Sequence, residues 1–202
     1  MKLHLSVLFL FILATCTAQT DTSLVIRVNF LYGSKPLRAY KSTESKIFGG
    51  LHGGHVTLQT GDSDYGFRRN KKHPHIFPHK NKPASVFTEK KLNGQSRYEA
   101  DRKTVAFIIP VTHEQYNALQ NMHADYCQST PFDYAFFGMR CTSTTQEILG
   151  QIGVLKKRSR LGNIVTAFYP KMLRKRMFRE ARKHQYQTIS TEGRPTRKWE
   201  RD

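Results

Sequence analysis

One cysteine in the chain stands where a thiol could act as a nucleophile. Cys141 follows an aromatic run and opens a Ser/Thr-rich helical pattern in PFDYAFFGMRCTSTTQEILGQIGVL (131–155). A thiol attacks only as the thiolate, and the oriented N–H groups at a helix N-terminus favour that charged form. A nearby imidazole favours it further. Cys141 is therefore a candidate nucleophile if a histidine reaches it.

His55 is the histidine whose setting best suits that role. The chain has nine histidines, so composition alone selects none of them. In FGGLHGGHVTLQTG (48–61) four glycines precede His55, and they would let another element approach closely. The following HVTLQT alternates, so His55 begins a half-buried strand on its polar side. His52 is the nearest competitor.

Structural roles for both residues stay open. Cys141 could be a small buried core residue, or it could form a disulfide with Cys127, since export would leave these two cysteines. His55 could be a surface histidine, or a core histidine with its hydrogen bonds satisfied, at the start of a strand.

The surrounding pattern predicts the elements that would position these residues. SLVIRVNFLYG (23–33) has the period of a strand, and TVAFIIPV (104–111) is apolar on both faces, as in a central strand. THEQYNALQNMHADY then predicts a helix with Thr112 and Gln115 in capping-box spacing. For the cysteine helix, the same spacing in Thr144 and Glu147 places the start within a few residues of Cys141.

The motifs GGHVTLQTG and YAFFGMRCTSTTQEIL together resemble the circularly permuted branch of the NlpC-type papain-like superfamily, which includes lecithin:retinol acyltransferase-like proteins. In that branch the histidine strand precedes the cysteine helix, as it does here. The resemblance covers roughly residues 24 to 155. It implies Cys141 as nucleophile and His55 as its base. The whole chain after residue 18 also resembles a group of small secreted bacterial proteins of unassigned function, including FLYGSKPL and GRPTRKWE.

The family's third polar residue, usually a histidine on the next strand, has no clear match. GDSDYGFRRN holds no histidine, so His75 in HPHIFPH is the candidate, with its neighbours Ile76 and Phe77 as anchors. His73, His79 and Gln59 remain open, as does a solvated basic loop. Prolines in the stretch 68–92 predict irregular backbone with a short extended piece near HIF. Three close histidines could also gather zinc, but the prolines and the missing carboxylate argue against that. No metal or cofactor is expected.

The charge is concentrated in the last quarter of the chain. The formal net charge is +18, and residues 155–202 hold fifteen Lys/Arg against four Asp/Glu. A last helix is predicted to start at Pro170 and to run through KMLRKRMFREARKHQY. Its apolar stripe is Leu173, Met177 and Ala181, and we expect it to dock on the same domain and to display cations. Much of the rest of that helix is occupied by the cations Lys171, Arg174, Lys175, Arg179, Arg182 and Lys183. Trp199 is expected to attach the tail to the body.

The N-terminal residues predict export. MKLHLSVLFLFILATCTA has the lysine, the short apolar run and the small residues of a secretory signal, with cleavage expected after Ala18. A lipoprotein anchor at Cys16 is the alternative. No later stretch is apolar enough to span a membrane. Outside the cytosol, a basic protein meets anionic envelope polymers, cell-wall peptides or lipid headgroups rather than nucleic acid.

These observations predict an α+β fold in which a small, mostly antiparallel sheet packs against the helix that carries Cys141. The expected units are a signal peptide (1–18), a permuted papain-like domain (19–170) and a basic helix with a tail (171–202), forming a monomer. The favoured function is a secreted or periplasmic thiol hydrolase that cleaves amide bonds, with cell-wall peptides as substrate. A lipid acyltransferase or esterase is the alternative on the same fold. A non-catalytic envelope-binding protein with a basic surface is the alternative from another class.

Overall fold

The computed structural model describes residues 24–44, 50–70, 75–81, 85–96, 98 and 100–202, with the side chains of residues 50–52 outside that description. The predicted signal peptide and Cys16 therefore lie outside the described residues. The strands are β1 (Leu24–Pro36), β2 (Gly50–Thr60), β3 (Ser63–Arg69), β4 (Ser85–Lys91), β5 (Lys103–Val111), β6 (Gln187–Glu192) and β7 (Arg197–Trp199). The helices are α1 (His113–Gln128), α2 (Cys141–Gln151), α3 (Arg160–Thr166) and α4 (Pro170–His184), and a short 3-10 helix follows β1 at Arg38–Tyr40.

Seven strands of the described chain form one antiparallel sheet. The order is β4-β3-β2-β1-β5-β6, and β7 pairs with the end of β1. The long β1 lies at the centre, where Val28 faces Leu58 of β2 on one side and Phe107 of β5 on the other. Because directly opposed residues share a face, these apolar side chains line one side of the sheet.

The helices cover that apolar side. Leu119 of α1, Leu149 of α2 and Leu173 of α4 are fully buried in one core with the strand residues. The ring of Phe107 meets Phe30 and Phe178 edge to face, at centroid distances of 5.8 and 5.0 Å. The predicted α+β class, with a mostly antiparallel sheet against the cysteine helix, is confirmed.

The three predicted helix starts, including one within a few residues of Cys141, are confirmed, but one of the two predicted capping boxes is wrong. The Thr112 hydroxyl accepts from the Gln115 amide, and the Gln115 side chain accepts from the Thr112 amide, so the α1 capping box forms. The last helix, α4, begins at Pro170 as predicted. The box expected at Thr144 and Glu147 is wrong, because α2 already begins at Cys141 and the Thr144 amide donates to the carbonyl of Arg140.

The basic C-terminal part completes the sheet. Its strand β6 pairs with β5 and its β7 pairs with β1, so residues 171–202 share the core of the rest. The expected stripe of Leu173, Met177 and Ala181 is buried, and the Trp199 indole donates to the Arg194 carbonyl at 3.0 Å. Arg174 was expected on the charged face but is completely buried. Across the described residues, no helix combines the length and apolar character that a membrane crossing requires.

Candidate functional site

Cys141 is the first residue of α2, and the preceding loop holds it there. The Ala135 amide donates to the Met139 carbonyl at 3.3 Å, which closes the loop before the helix. The Arg140 amide then donates to the Ser143 hydroxyl at 2.8 Å. Because Ser143 supplies the cap, the helix starts with the cysteine itself. The backbone N–H groups of the first turn are thus next to the thiol.

The thiol borders a cleft of about 240 Å³ between β2, the loop before α2 and the start of α4. Cys141 is only 5% exposed, so the cleft is its route to solvent. The other residues that line the cleft are Gly53, Gly54, Tyr134, Arg140, Thr142, Phe168, Tyr169 and Pro170. None of these lining residues, all from the described part of the chain, is a histidine.

The polar neighbours of the thiol include a phenol, a guanidinium and the Thr142 hydroxyl, whose oxygen lies 3.7 Å from the sulfur. The Tyr134 phenol lies close enough to Cys141 for the two side chains to interact electrostatically. The pKa of Tyr134 is raised well above its usual range, mainly because the phenol is buried and secondly because of the negative charge that Cys141 would carry. The phenol therefore keeps its proton. Burial likewise lowers the pKa of Arg140, although Tyr134 and Cys141 oppose that change. The Arg140 guanidinium lies 3.7 Å from the centre of the Phe168 ring and donates to the Phe168 carbonyl.

The structure does not bring His55 to this thiol. In β2, His55 is opposite Leu31, whereas Val56 is opposite Phe30 on the apolar side. A Cβ built on Gly66 would lie 3.4 Å from His55 Nε2 and 3.1 Å from Thr57 Cγ2. His55 therefore shares the polar side of the sheet with Thr57, and Cys141 packs on the other side. The expected Cys141–His55 pair is corrected: the alternation of the strand separates them.

The polar side that His55 occupies is organised around a buried carboxylate. Asp64 is 1% exposed. Its Oδ1 accepts from the Thr57 hydroxyl at 2.6 Å and from the side-chain amide of Asn29 at 3.3 Å. Gln59, another candidate orienting residue, accepts from Asn29 and donates to the Gly61 carbonyl. The prediction that His55 begins on the polar face is confirmed, while its expected role is not supported by this position.

The glycines before His55 were expected to let another element approach it, but the constraint at Gly54 comes from the neighbouring strand. Its φ is +93°, and an added Cβ would lie 2.3 Å from the carbonyl oxygen of Leu31. The close approach is therefore between β2 and β1. Gly53 and Gly54 also form the β2 wall of the cysteine cleft, and this wall therefore carries no side chains.

His75 pairs with a carboxylate that the sequence did not suggest. Its Nδ1 lies 2.6 Å from Oδ2 of Asp133, which also accepts from the His79 amide at 2.7 Å. His75 forms a single bridge with Ala135, and bends follow at Ile76 and Phe77, so the extended backbone expected near HIF is limited to one bridge residue. His75 thus meets Asp133, on the loop before α2. His73 and the side chain of His52 lie outside the described residues.

The other sequence alternatives can be compared with the same structure. Cys127 and Cys141 are both free, so the disulfide alternative is wrong. Within the described ranges no group of histidine, cysteine or carboxylate side chains is arranged to hold a metal ion. The sequence did not single out Asp133, Tyr134 or Arg140, although all three stand within the eight residues before Cys141.

No family model, no curated protein and no solved structure matches the chain in the three comparisons made.

Proposed function

We propose that the protein is a thiol hydrolase in which Cys141 attacks an amide or ester carbonyl. The observation that carries this proposal is that Cys141 opens α2 at a cleft, beside the hydroxyl of Tyr134. The sulfur would bond to the carbonyl carbon, and N–H groups of the first helical turn would stabilise the oxyanion. The amine or alcohol would leave with a proton. Water would then release the acid and restore the thiol.

The base in this proposal is His52 rather than His55. Gly53, the residue after His52, lines the cleft, whereas the side chain of His55 lies across the sheet. The order of histidine strand and cysteine helix that the papain-like resemblance requires is the same for either histidine. Tyr134 keeps its proton and therefore fits a hydrogen-bond donor better than a base.

The substrate class in this proposal is the amide bond of cell-wall peptides, with lipid acyl transfer as the alternative. The papain-like resemblance supports the amide, and the net charge of +18 suits any anionic surface that carries the scissile bond. We retain the proposal that the protein is secreted or periplasmic.

Competition between the two free thiols tests the nucleophile. Cys127 is exposed overall, but partial desolvation of its sulfur, followed by the negative charge of Glu89, raises the pKa of its thiol. It should therefore react slowly with iodoacetamide at pH 6. Cys141 is the less accessible thiol, so faster labelling there would have to come from activation. We expect Cys141 to be labelled at least tenfold faster. Equal rates, or faster labelling of Cys127, would contradict the proposed nucleophile.

Two matched variants test the base. His52→Ala should slow the labelling of Cys141 at pH 6, while His55→Ala should leave the rate within about twofold of the unchanged protein. The reverse result would return the role to His55. No effect from either variant would exclude a histidine base on β2.

A groove on α4 favours a second function, the non-catalytic binding of an anionic envelope polymer. Lys175, Arg179 and Arg182 line an open groove of about 500 Å³ together with Phe178 and Asp202, so three cations face one carboxylate there. Arg179→Gln/Arg182→Gln should reduce pelleting with cell-wall sacculi. The control Lys90→Gln/Lys198→Gln removes the same charge from exposed positions on strands β4 and β7. If both variants pellet equally, the groove has no specific role.

A further inference from the structure

Four large apolar side chains are exposed together beside the cysteine cleft. Ile76, Phe77, Phe136 and Phe137 are 63%, 66%, 44% and 52% exposed. The Phe77 and Phe137 rings stack at 5.5 Å, and Phe136 meets Phe168 at 5.4 Å. We call these five residues the aromatic surface. A contiguous apolar patch of this kind usually marks an interaction site.

The aromatic surface is held in place by the backbone beneath it. The Phe136 amide donates to the His75 carbonyl at 2.7 Å, and the Phe137 amide donates to the Ile76 carbonyl at 2.8 Å. Asp133 fixes the same segment through the His75 ring and the His79 amide. Two loops are therefore joined so that their rings point outward together. His75 and Asp133 gain a role in this arrangement that does not depend on catalysis.

Helix α3 extends the apolar character. Leu161 and Val165 are 70% and 60% exposed and stand four residues apart, so they share one face of the helix. Phe168 follows two residues after the end of this helix. Helix α3 also meets the segment 75–79, since Ile164 of the helix lines a small cavity together with Pro78.

Cations flank this apolar surface. Four exposed cations stand immediately before and at the start of α3: Lys156, Lys157, Arg158 and Arg160. Lys80 is exposed just after the segment 75–79. Exposed aromatic and aliphatic side chains with neighbouring Lys and Arg match the interface of an anionic bilayer: rings enter the headgroup region while cations meet phosphates.

We propose that the aromatic surface docks the protein on an anionic phospholipid bilayer. Phe168 belongs both to the aromatic surface and to the lining of the Cys141 cleft. Docking would therefore bring the mouth of the cleft to the headgroup layer, where a membrane-linked substrate would present its ester or amide. The docking itself does not depend on the thiol chemistry.

Vesicle sedimentation tests the proposal. The protein should pellet with vesicles of phosphatidylglycerol and phosphatidylcholine, and much less with phosphatidylcholine alone. Phe77→Ser/Phe137→Ser should weaken the binding at least tenfold. Lys156→Gln/Lys157→Gln should weaken it about fivefold per cation removed. The control Val25→Ser/Ile189→Ser removes exposed apolar side chains from the polar side of the sheet and should change nothing.

Each contrary outcome has a definite meaning. Failure to pellet with the anionic vesicles, or equal pelleting by the Phe77/Phe137 variant and the Val25/Ile189 control, would overturn the proposal. So would a dimer in solution that the Phe77/Phe137 variant converts to monomer without any vesicle binding, because a second copy would then cover the surface. Cys141→Ser should bind vesicles normally, which separates docking from the thiol function. A thermal melt of each variant confirms that it is folded.

Discussion

Replacing Arg174 should destabilise the protein more than any other single loss of charge on α4. Its guanidinium is completely buried, with Nη2 2.9 Å from Glu200 and Nε 2.6 Å from Asp202. Its flat face lies 3.7 Å from the centre of the Tyr32 ring. Arg174→Met keeps an unbranched, flexible stem but leaves the Glu200 carboxylate, 4% exposed, without its cation.

The magnitude follows from that unpaired carboxylate. Removing one partner of a buried ion pair costs about 3–5 kcal/mol of unfolding free energy. For a chain of this length, such a loss lowers the melting temperature by roughly 6–20 °C. The control is Lys175→Met, the same change at the adjacent exposed residue, which should cost under about 0.5 kcal/mol. Thermal and urea unfolding of both variants measure the difference. A difference below about 1 kcal/mol would refute the reasoning.

The same cluster predicts a dependence on pH. Burial alone would raise the pKa of Asp202, but hydrogen bonds from Tyr32 and Arg174 outweigh it and hold that pKa below its ordinary value of 3.8. A carboxyl group with a lowered folded pKa stabilises the protein above its unfolded pKa and loses that contribution as the pH falls. The unfolding free energy should therefore drop below pH 4. Asp202→Asn should remove part of this acid sensitivity, and an unchanged profile would contradict it.

Three further changes have distinct expected results. His123 is completely buried, and burial lowers its pKa to about 3, so His123→Phe should abolish a loss of stability of about 1.4 kcal/mol per pH unit as the pH falls from 6 to 4. Gly54→Ala should cost several kcal/mol because its Cβ would overlap the Leu31 carbonyl, whereas Gly94→Ala, with nothing within 4 Å, should cost only about 1 kcal/mol. Thr112→Ala should cost about 1 kcal/mol through loss of the α1 cap.

Denaturant unfolding at several pH values measures all three. For His123 the sign follows from the unfolded imidazole, which binds a proton near pH 6.5 while the folded one does not, so acid favours unfolding. If the unfolding free energy of His123→Phe and of the unchanged protein fell equally between pH 6 and pH 4, His123 would not be the source of the acid sensitivity. An equal loss of unfolding free energy for Gly54→Ala and Gly94→Ala would mean that β1 shifts away from the added Cβ at little cost. A neutral Thr112→Ala would show that the Thr112 cap contributes nothing.

The sequence predicted elements best where a local pattern was complete. Period two gave β1, the capping box gave the start of α1, and Pro170 gave the start of α4. The irregular backbone predicted for residues 68–92 is wrong for β4 (85–91), because all three prolines of that stretch precede the strand. The strands β6 and β7 were missed because their sheet positions depend on distant partners. β6, for example, exposes most of its residues and is a strand only because β5 supplies its hydrogen bonds.

The candidate site was predictable only in part. Cys141 at a helix start follows from the local sequence, since the polar Ser/Thr run after it suits a first turn. The contacts of that thiol do not, because Tyr134 and Arg140 reach it through a loop closure that pairs Tyr134 with Met139. The burial of Arg174 was equally hidden, since Glu200 and Asp202 are its partners from far along the chain.

The position of His55 can be argued from the energetics of β2. A slip of one residue would carry His55 to the side of the thiol, but it would also turn Val56 and Leu58 away from the core. These two side chains are 0% and 1% exposed, and exposing both costs about 3–6 kcal/mol. The same slip would break the bonds that Thr57 and Asn29 donate to the buried Asp64 carboxylate. Since a domain has only about 5–15 kcal/mol of stability in total, that register cannot be populated to any useful extent. A thiol activated in this fold must therefore take its base from somewhere other than His55.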